Sequence, residues 1–458
     1  MSQETASERS ESWIEPPEGF LGRLRHIGPG IIISGSIVGS GELVVTTKLG
    51  AEVGFVLLWL ILFSCFLKVF LQVELGRHVI SSGRTVLESM DSVPGPRMQF
   101  GRLRVNWLNA LWAVMAFCSI MQLGGILTGL AGVFRLPDLG LTDVSAWIWP
   151  VAIAALTAAL LASGRYKFVE LTTTGLVCVF TLLTVVAVFC VQSTSSAISS
   201  EELGSGLLPS LPSAGLVTAF AVLGITGVGA SELVFYPYWC LEKGYAKFVG
   251  PSDGSQAWVH RARGWIRVMH LDAWISCGVY TLGTAAFYLL GAGVLNRENL
   301  VPGDDNLHET LSQIYVVSFS DASGTWLYAL GAIAVLFSTF FVATASNARV
   351  VVDGIHVFGI KRLSDDAARR KMVGLLCIVL PAFCWAMVVV VGKPVWLIMV
   401  GGVAQAAFLP FLAAGIAFLR YRKTDPALVQ RSAGELCLWL AIVATALVGM
   451  HQLYSLLA

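Results

Sequence analysis

Val38-Gly39-Ser40-Gly41-Glu42-Leu43-Val44 and Val228-Gly229-Ala230-Ser231-Glu232-Leu233-Val234 are the two stretches that decide the fold. Aligned without a gap they share five of seven residues, and they stand 190 residues apart. Each lies inside an apolar run, contains glycine, which tolerates non-helical torsions, and then presents a carboxylate. An acidic residue at the centre of a membrane span costs about 2.5–3.5 kcal/mol even on the lenient insertion scale, so such a residue points to function. Two roles stay open for Glu42 and Glu232: capping the amides of a following half-helix, or direct binding of a substrate or proton.

Around these stretches the chain is unusually apolar. Of 458 residues 56% are hydrophobic and 13% charged, against about 45–50% and 25% in soluble domains. Mean hydropathy is +0.74, which excludes a water-soluble core. A hydrocarbon slab of about 30 Å takes about 20 apolar residues as helix. Runs of that kind start near residues 27, 54, 105, 147, 168, 213, 272, 325, 372, 395 and 434. About eleven spans follow, the first interrupted at Gly39-Ser40-Gly41 and the sixth at Gly227-Val228-Gly229. Five spans separate the start of one copy from the start of the other, so the second copy is inverted in the membrane. The expected fold is all-α and integral to the membrane, a LeuT-type inverted five-helix repeat with helices 1 and 6 broken. Residues 1–26 read as a solvated cytoplasmic tail and 27–458 as one transmembrane domain, with repeats over 27–192 and 213–419 and an extra helix over 434–456.

The basic residues test this count, because cytoplasmic loops collect Lys and Arg. Arg77, Arg84, Arg97, Arg102 and Arg104 fall in one loop, Arg165 and Lys167 in the next, and Lys243, Lys247, Arg261, Arg263 and Arg267 in a third. Arg349, Lys361, Arg362, Arg369, Arg370 and Lys371, then Arg420, Arg422, Lys423 and Arg431, complete the same side. The other side holds only Lys48, Arg135, Arg297 and Lys393 beside an acidic cluster, Glu298, Asp304, Asp305 and Glu309. The expectation is a multi-pass protein of the plasma (inner) membrane, N-terminus inside and C-terminus outside.

The nine cysteines lie in or beside apolar segments without a C-x-x-C pair, and read as core residues. No nucleotide-binding loop or H-E-x-x-H pattern is present. These features predict no enzyme, no cofactor and no nucleic-acid partner; lipid and a small cationic solute are the expected partners, and the oligomeric state is left open. Lys68 and Glu74 are six residues apart, too far for a one-turn pair.

Gly28-Pro29-Gly30, Leu49-Gly50-Ala51-Glu52-Val53-Gly54-Phe55 and Leu57-Leu58-Trp59 resemble the start of the natural-resistance-associated macrophage protein (Nramp) family of divalent-metal transporters. Ser82-Gly83-Arg84-Thr85-Val86-Leu87-Glu88, Asp272 and Leu409-Pro410-Phe411 extend the resemblance. Where the family has D-P-G-N, this chain has Gly39-Ser40-Gly41-Glu42, and its M-P-H sequence is replaced around Gly229-Ala230-Ser231-Glu232. Loss of the methionine is similar to the magnesium-selective relatives. The third-span D-x-x-E pair of the family's proton route becomes neutral Ser119 and Gln122, and Thr284 replaces the seventh-span asparagine.

The resemblance implies alternating-access transport of a divalent cation, without the usual proton pathway. Glu42 and Glu232 are expected to face each other as metal ligands, with carbonyls near Gly39, Ser40, Gly229 and Ala230 and side chains of Gln405 or Ser231 completing an oxygen shell. Such a shell suits Mg²⁺, Mn²⁺ or Ca²⁺. Two alternatives remain: a carrier of cationic organic solutes, and a non-transporting sensor derived from a transporter. The orientation is checked by fusions after Ala458, where alkaline phosphatase should be active and green fluorescent protein dark; the reverse pattern contradicts the loop-charge reading.

Overall fold

The computed structural model describes residues 13–101, 103–141, 145, 147–162, 166–210, 212, 215–319, 321–363, 365–429 and 433–457. Residues 1–12, the expected loop residues Arg102, Arg165 and Arg431, and the side chains of Ser40 and Lys167 lie outside the described residues.

All eleven expected positions carry helix. Among the described residues seven helices are long and apolar enough to cross a membrane, and a bent first pair makes an eighth. The second and third spans are Leu58–Ser82 and Trp107–Val133; the seventh to tenth are Gln256–Leu295, Asp321–Val357, Asp366–Val390 and Pro394–Arg422. Ile148–Ala162, Tyr166–Val191 and Ala433–Leu457 stand at the fourth, fifth and eleventh places. Local chemistry sets their ends. The second span closes on Gly83 in the left-handed region (φ +66°), and the third opens on Asn106, whose side chain accepts from the Leu108 amide. Between them a hairpin pairs Arg97–Phe100 with Leu103–Asn106.

The two interruptions take different forms. The sixth span is unwound between Leu216–Ile225 and Ala230–Lys243, with Gly227 at φ +62°. The first runs from Pro29–Ile37 through a π-helical segment, Val38–Thr46, into Thr47–Val53, and bends by about 40°. The sequence explains the difference. The residue 190 positions before Gly227 is Ile37, and a β-branched side chain is barred from the left-handed region that glycine enters freely. The first repeat therefore widens its helix where the second opens it.

Packing places both interruptions in the core. The first half of the sixth span lies against the tenth, and the tenth against the third. Gly224 makes the first of these contacts possible, since a Cβ there would meet the Gly402 carbonyl and come within 2.7 Å of the Ala406 nitrogen. The first span is held by the seventh. Asp272, fully buried, accepts from the Gly28 and Gly30 amides at 2.8 and 2.6 Å and from the Tyr236 hydroxyl at 2.9 Å.

One boundary departs from expectation. The seventh helix begins at Gln256 rather than near 272, because its first turns carry His260, Arg261, Arg263 and Arg267 and so fall below an apolar threshold while remaining helical. Residues 13–26 stay largely exposed but are tied at both ends: Trp265 Nε1 donates to the Ile14 carbonyl at 2.8 Å, the Tyr245 hydroxyl to the His26 carbonyl at 2.6 Å, and the Arg261 guanidinium covers the Trp13 ring. Asp272→Ala removes the acceptor for two helix-start amides and a buried hydroxyl. The expected cost is at least about 1–3 kcal/mol, read as a lowered melting temperature in detergent against Asp272→Asn, which keeps one acceptor oxygen.

Candidate functional site

Glu42 sits in the π-helical segment, fully buried. Its Oε1 accepts from the Thr284 hydroxyl at 2.9 Å and from the Gly227 amide at 3.3 Å, so it reaches across to the seventh span and into the sixth-span break. Glu232 is in the first turn of the helix that follows that break, and its Oε1 accepts from the Ser36 hydroxyl at 2.9 Å. Each glutamate is thus bonded into the opposite repeat. The second oxygens, Glu42 Oε2 and Glu232 Oε2, are buried without a hydrogen-bond partner among the described residues.

A small cavity of about 20 Å³ adjoins Glu232, bounded also by Ser36, Ser119, Gln122, Ser231 and Gln405. Its wall is a polar chain from three spans. Gln405 Oε1 accepts from the Ser231 amide at 3.0 Å while its Nε2 donates to Gln122 Oε1 at 3.0 Å. The Ser231 and Ser119 hydroxyls lie 2.8 Å apart, with Met115 Sδ 3.3 Å from the former. Gln122 and Ser119, the neutral replacements in the third span, have become supports for the start of the second half-helix. Glu42 is not on this cavity wall; it lies behind the break, within Coulombic reach of Glu232 and of Lys68.

The carbonyls differ from expectation. Gly229 is the N-cap of the second half-helix and its carbonyl already accepts from the Leu233 amide at 2.8 Å, while Ala230 opens that helix. Gly39 and Ser40 belong to the π-helical segment, so their backbone is bonded along the helix, and the Ser40 side chain is outside the described residues. Carbonyls freed at the break lie earlier in the chain, among them those of Leu223 and Thr226, and Lys68 Nζ donates to both at 2.5 and 2.7 Å. Sequence reasoning missed Lys68 by looking for its partner along its own helix. The signal was present, since a lysine in the middle of an apolar span carries the same insertion cost as the acids.

Among the described residues no cluster of three or more His, Cys, Asp and Glu side chains forms a ready metal cage. The donor set is two carboxylates with hydroxyl and amide oxygens. Hard oxygens of this kind match hard, weakly polarisable cations that retain water, not ions that prefer sulfur or imidazole.

A bundle whose first and sixth spans are interrupted at a shared buried point has the architecture of LeuT-type secondary transporters, and the protein is a multi-pass membrane protein. The family model "Natural resistance-associated macrophage protein-like" (Nramp) matches residues 30–458, and the chain belongs to that family. It is 26% identical over 331 residues, 72% of its length and 71% of the relative's, to the divalent metal cation transporter MntH of Caldanaerobacter subterraneus subsp. tengcongensis. Its fold is similar to that of a mutant of the Eremococcus coleocola manganese transporter, with a TM-score of 0.70, 17% identity and coverage of 97% of this chain and 90% of that one. MhsT in complex with L-phenylalanine shares the fold more distantly, with a TM-score of 0.59, 14% identity and coverage of 95% and 99%.

Ser36→Ala tests the crosswise bonding, since it leaves both Glu232 oxygens without a donor. A destabilisation of about 1–3 kcal/mol is expected, measured by thermal unfolding; Ser34→Ala on the same helix, whose hydroxyl donates only to the Gly30 carbonyl, serves as the control and should cost less.

Proposed function

We propose that the protein is an alternating-access secondary transporter, or facilitator, of a divalent cation of the Mg²⁺, Mn²⁺ or Ca²⁺ type, with Glu42 and Glu232 as its charged ligands. The observation that carries this reading is that Glu42 Oε2 and Glu232 Oε2, one from each repeat, are both buried without a hydrogen-bond partner among the described residues, Glu232 on the cavity and Glu42 behind the sixth-span break. A buried acceptor left without a donor costs about 1–3 kcal/mol, and a cation that binds there removes that cost. Gln405, Ser231 and Ser36 supply neutral oxygens beside Glu232.

The size of the cavity favours an inorganic ion over an organic one. About 20 Å³ accommodates one water-sized species, and an organic amine is larger. The third span favours uncoupled or unusually coupled transport, because Ser119 and Gln122 are bonded to Ser231 and Gln405 and carry no titrating group. The family's metal-transport chemistry would then be kept with a changed ligand set: two glutamates in place of an aspartate, an asparagine and a methionine.

Purified protein in liposomes loaded with a divalent-sensitive dye provides the test. Wild type is expected to admit Mn²⁺ or Mg²⁺, and Glu42→Gln and Glu232→Gln each to slow entry at least about tenfold, the factor that corresponds to about 1.4 kcal/mol of lost ion binding. Entry should not acidify the lumen. No divalent flux by wild type, or full flux by both variants, overturns the proposal.

A further inference from the structure

Lys68 is a buried charged residue beside the site that the proposed ion-binding role does not use. It is 3% exposed, on the second span, and its ammonium sits on the carbonyls of Leu223 and Thr226. Those carbonyls end the first half of the sixth span, where a helix leaves acceptors unsatisfied and its dipole is negative. Unwound carbonyls at half-helix ends are the groups with which transporters of this architecture coordinate monovalent ions. Lys68 is also within Coulombic reach of both Glu42 and Glu232. An ammonium is a compact single positive charge with three donors, two of which are directed here at backbone oxygens.

We infer that Leu223 O and Thr226 O form a monovalent-cation subsite that the chain fills with its own ammonium, making Lys68 a tethered cation at the break. The protein then needs no sodium or potassium ion to hold the sixth span open. Lys68 and Leu223 line an apolar groove of about 380 Å³ with Phe63, Leu67 and Leu409, so shortening the Lys68 side chain leaves the two carbonyls without their donor next to open space. A small free cation should replace what has been removed.

The inference rests on the proposed transport reading only for its consequence in turnover, and its test needs no divalent ion and no flux. Thermal unfolding of the full chain in detergent is compared in choline, sodium, potassium and methylammonium chloride at equal ionic strength. Wild type should unfold at the same temperature in all four. Lys68→Ala should be destabilised in choline and recover by about 2 °C or more in methylammonium or potassium, as expected when a ligand present at about ten times its dissociation constant binds only the folded state. Lys68→Met, which fills the space without charge, should be destabilised and show no recovery. Equal response of Lys68→Ala to choline and to every small cation overturns the inference. If Lys68→Ala does not fold in any salt, Lys68→Arg against Lys68→Met decides: stability kept by Arg and lost by Met supports a tethered charge, and equal stability overturns it. Divalent flux failing while the cation response appears would sink the transport reading and leave this one standing.

Discussion

A helix that breaks inside a bilayer exposes backbone groups to a medium that offers them no water, and each must find a partner within the protein. The sixth span meets this constraint with three side chains from elsewhere. Lys68 takes the carbonyls at the end of the first half, Glu42 takes the Gly227 amide in the gap, and Gln405 takes the Ser231 amide at the start of the second half. The signs are matched to the backbone: a cation on carbonyls, a carboxylate on an N–H. The break is therefore a property of the whole bundle, and removing any one support leaves a buried polar group of the backbone without that partner.

The two repeats share a sequence and not a local structure. Gly227 occupies a left-handed torsion that its counterpart Ile37 cannot adopt, and this single difference turns an open gap into a widened helix. It also sets the asymmetry of the site. Glu232 begins a half-helix beside a cavity, whereas Glu42 stays within continuous helix and projects toward the gap of its partner repeat. Loss of the family's D-P-G-N and M-P-H sequences is thus accompanied by a rearranged set of contacts, in which the third span supports rather than titrates.

Much of this was legible beforehand. Apolar runs placed the helices, the heptapeptide match exposed the inversion, and the cost of burying an acid singled out Glu42 and Glu232. Other features depended on contacts between segments far apart in the chain. Lys68 finds its partners 155 and 158 residues away, which no spacing within one helix reveals. The carbonyls that Lys68 takes, at Leu223 and Thr226, precede Gly227, because Gly229 and Ala230 already belong to the next helix. The early start of the seventh span was hidden by arginines such as Arg261, which is 5% exposed and donates to the Val249 carbonyl.

The widened winding of Val38–Thr46 has a mechanical consequence. A segment wound with more residues per turn than its neighbours holds slack, and tightening it would turn the part that follows about its axis while the chain stays bonded throughout. Such a change of pitch would turn the Glu42 carboxylate relative to Gly227 while the first span's own backbone stays bonded, and the Gly227 amide would lose the acceptor it has here.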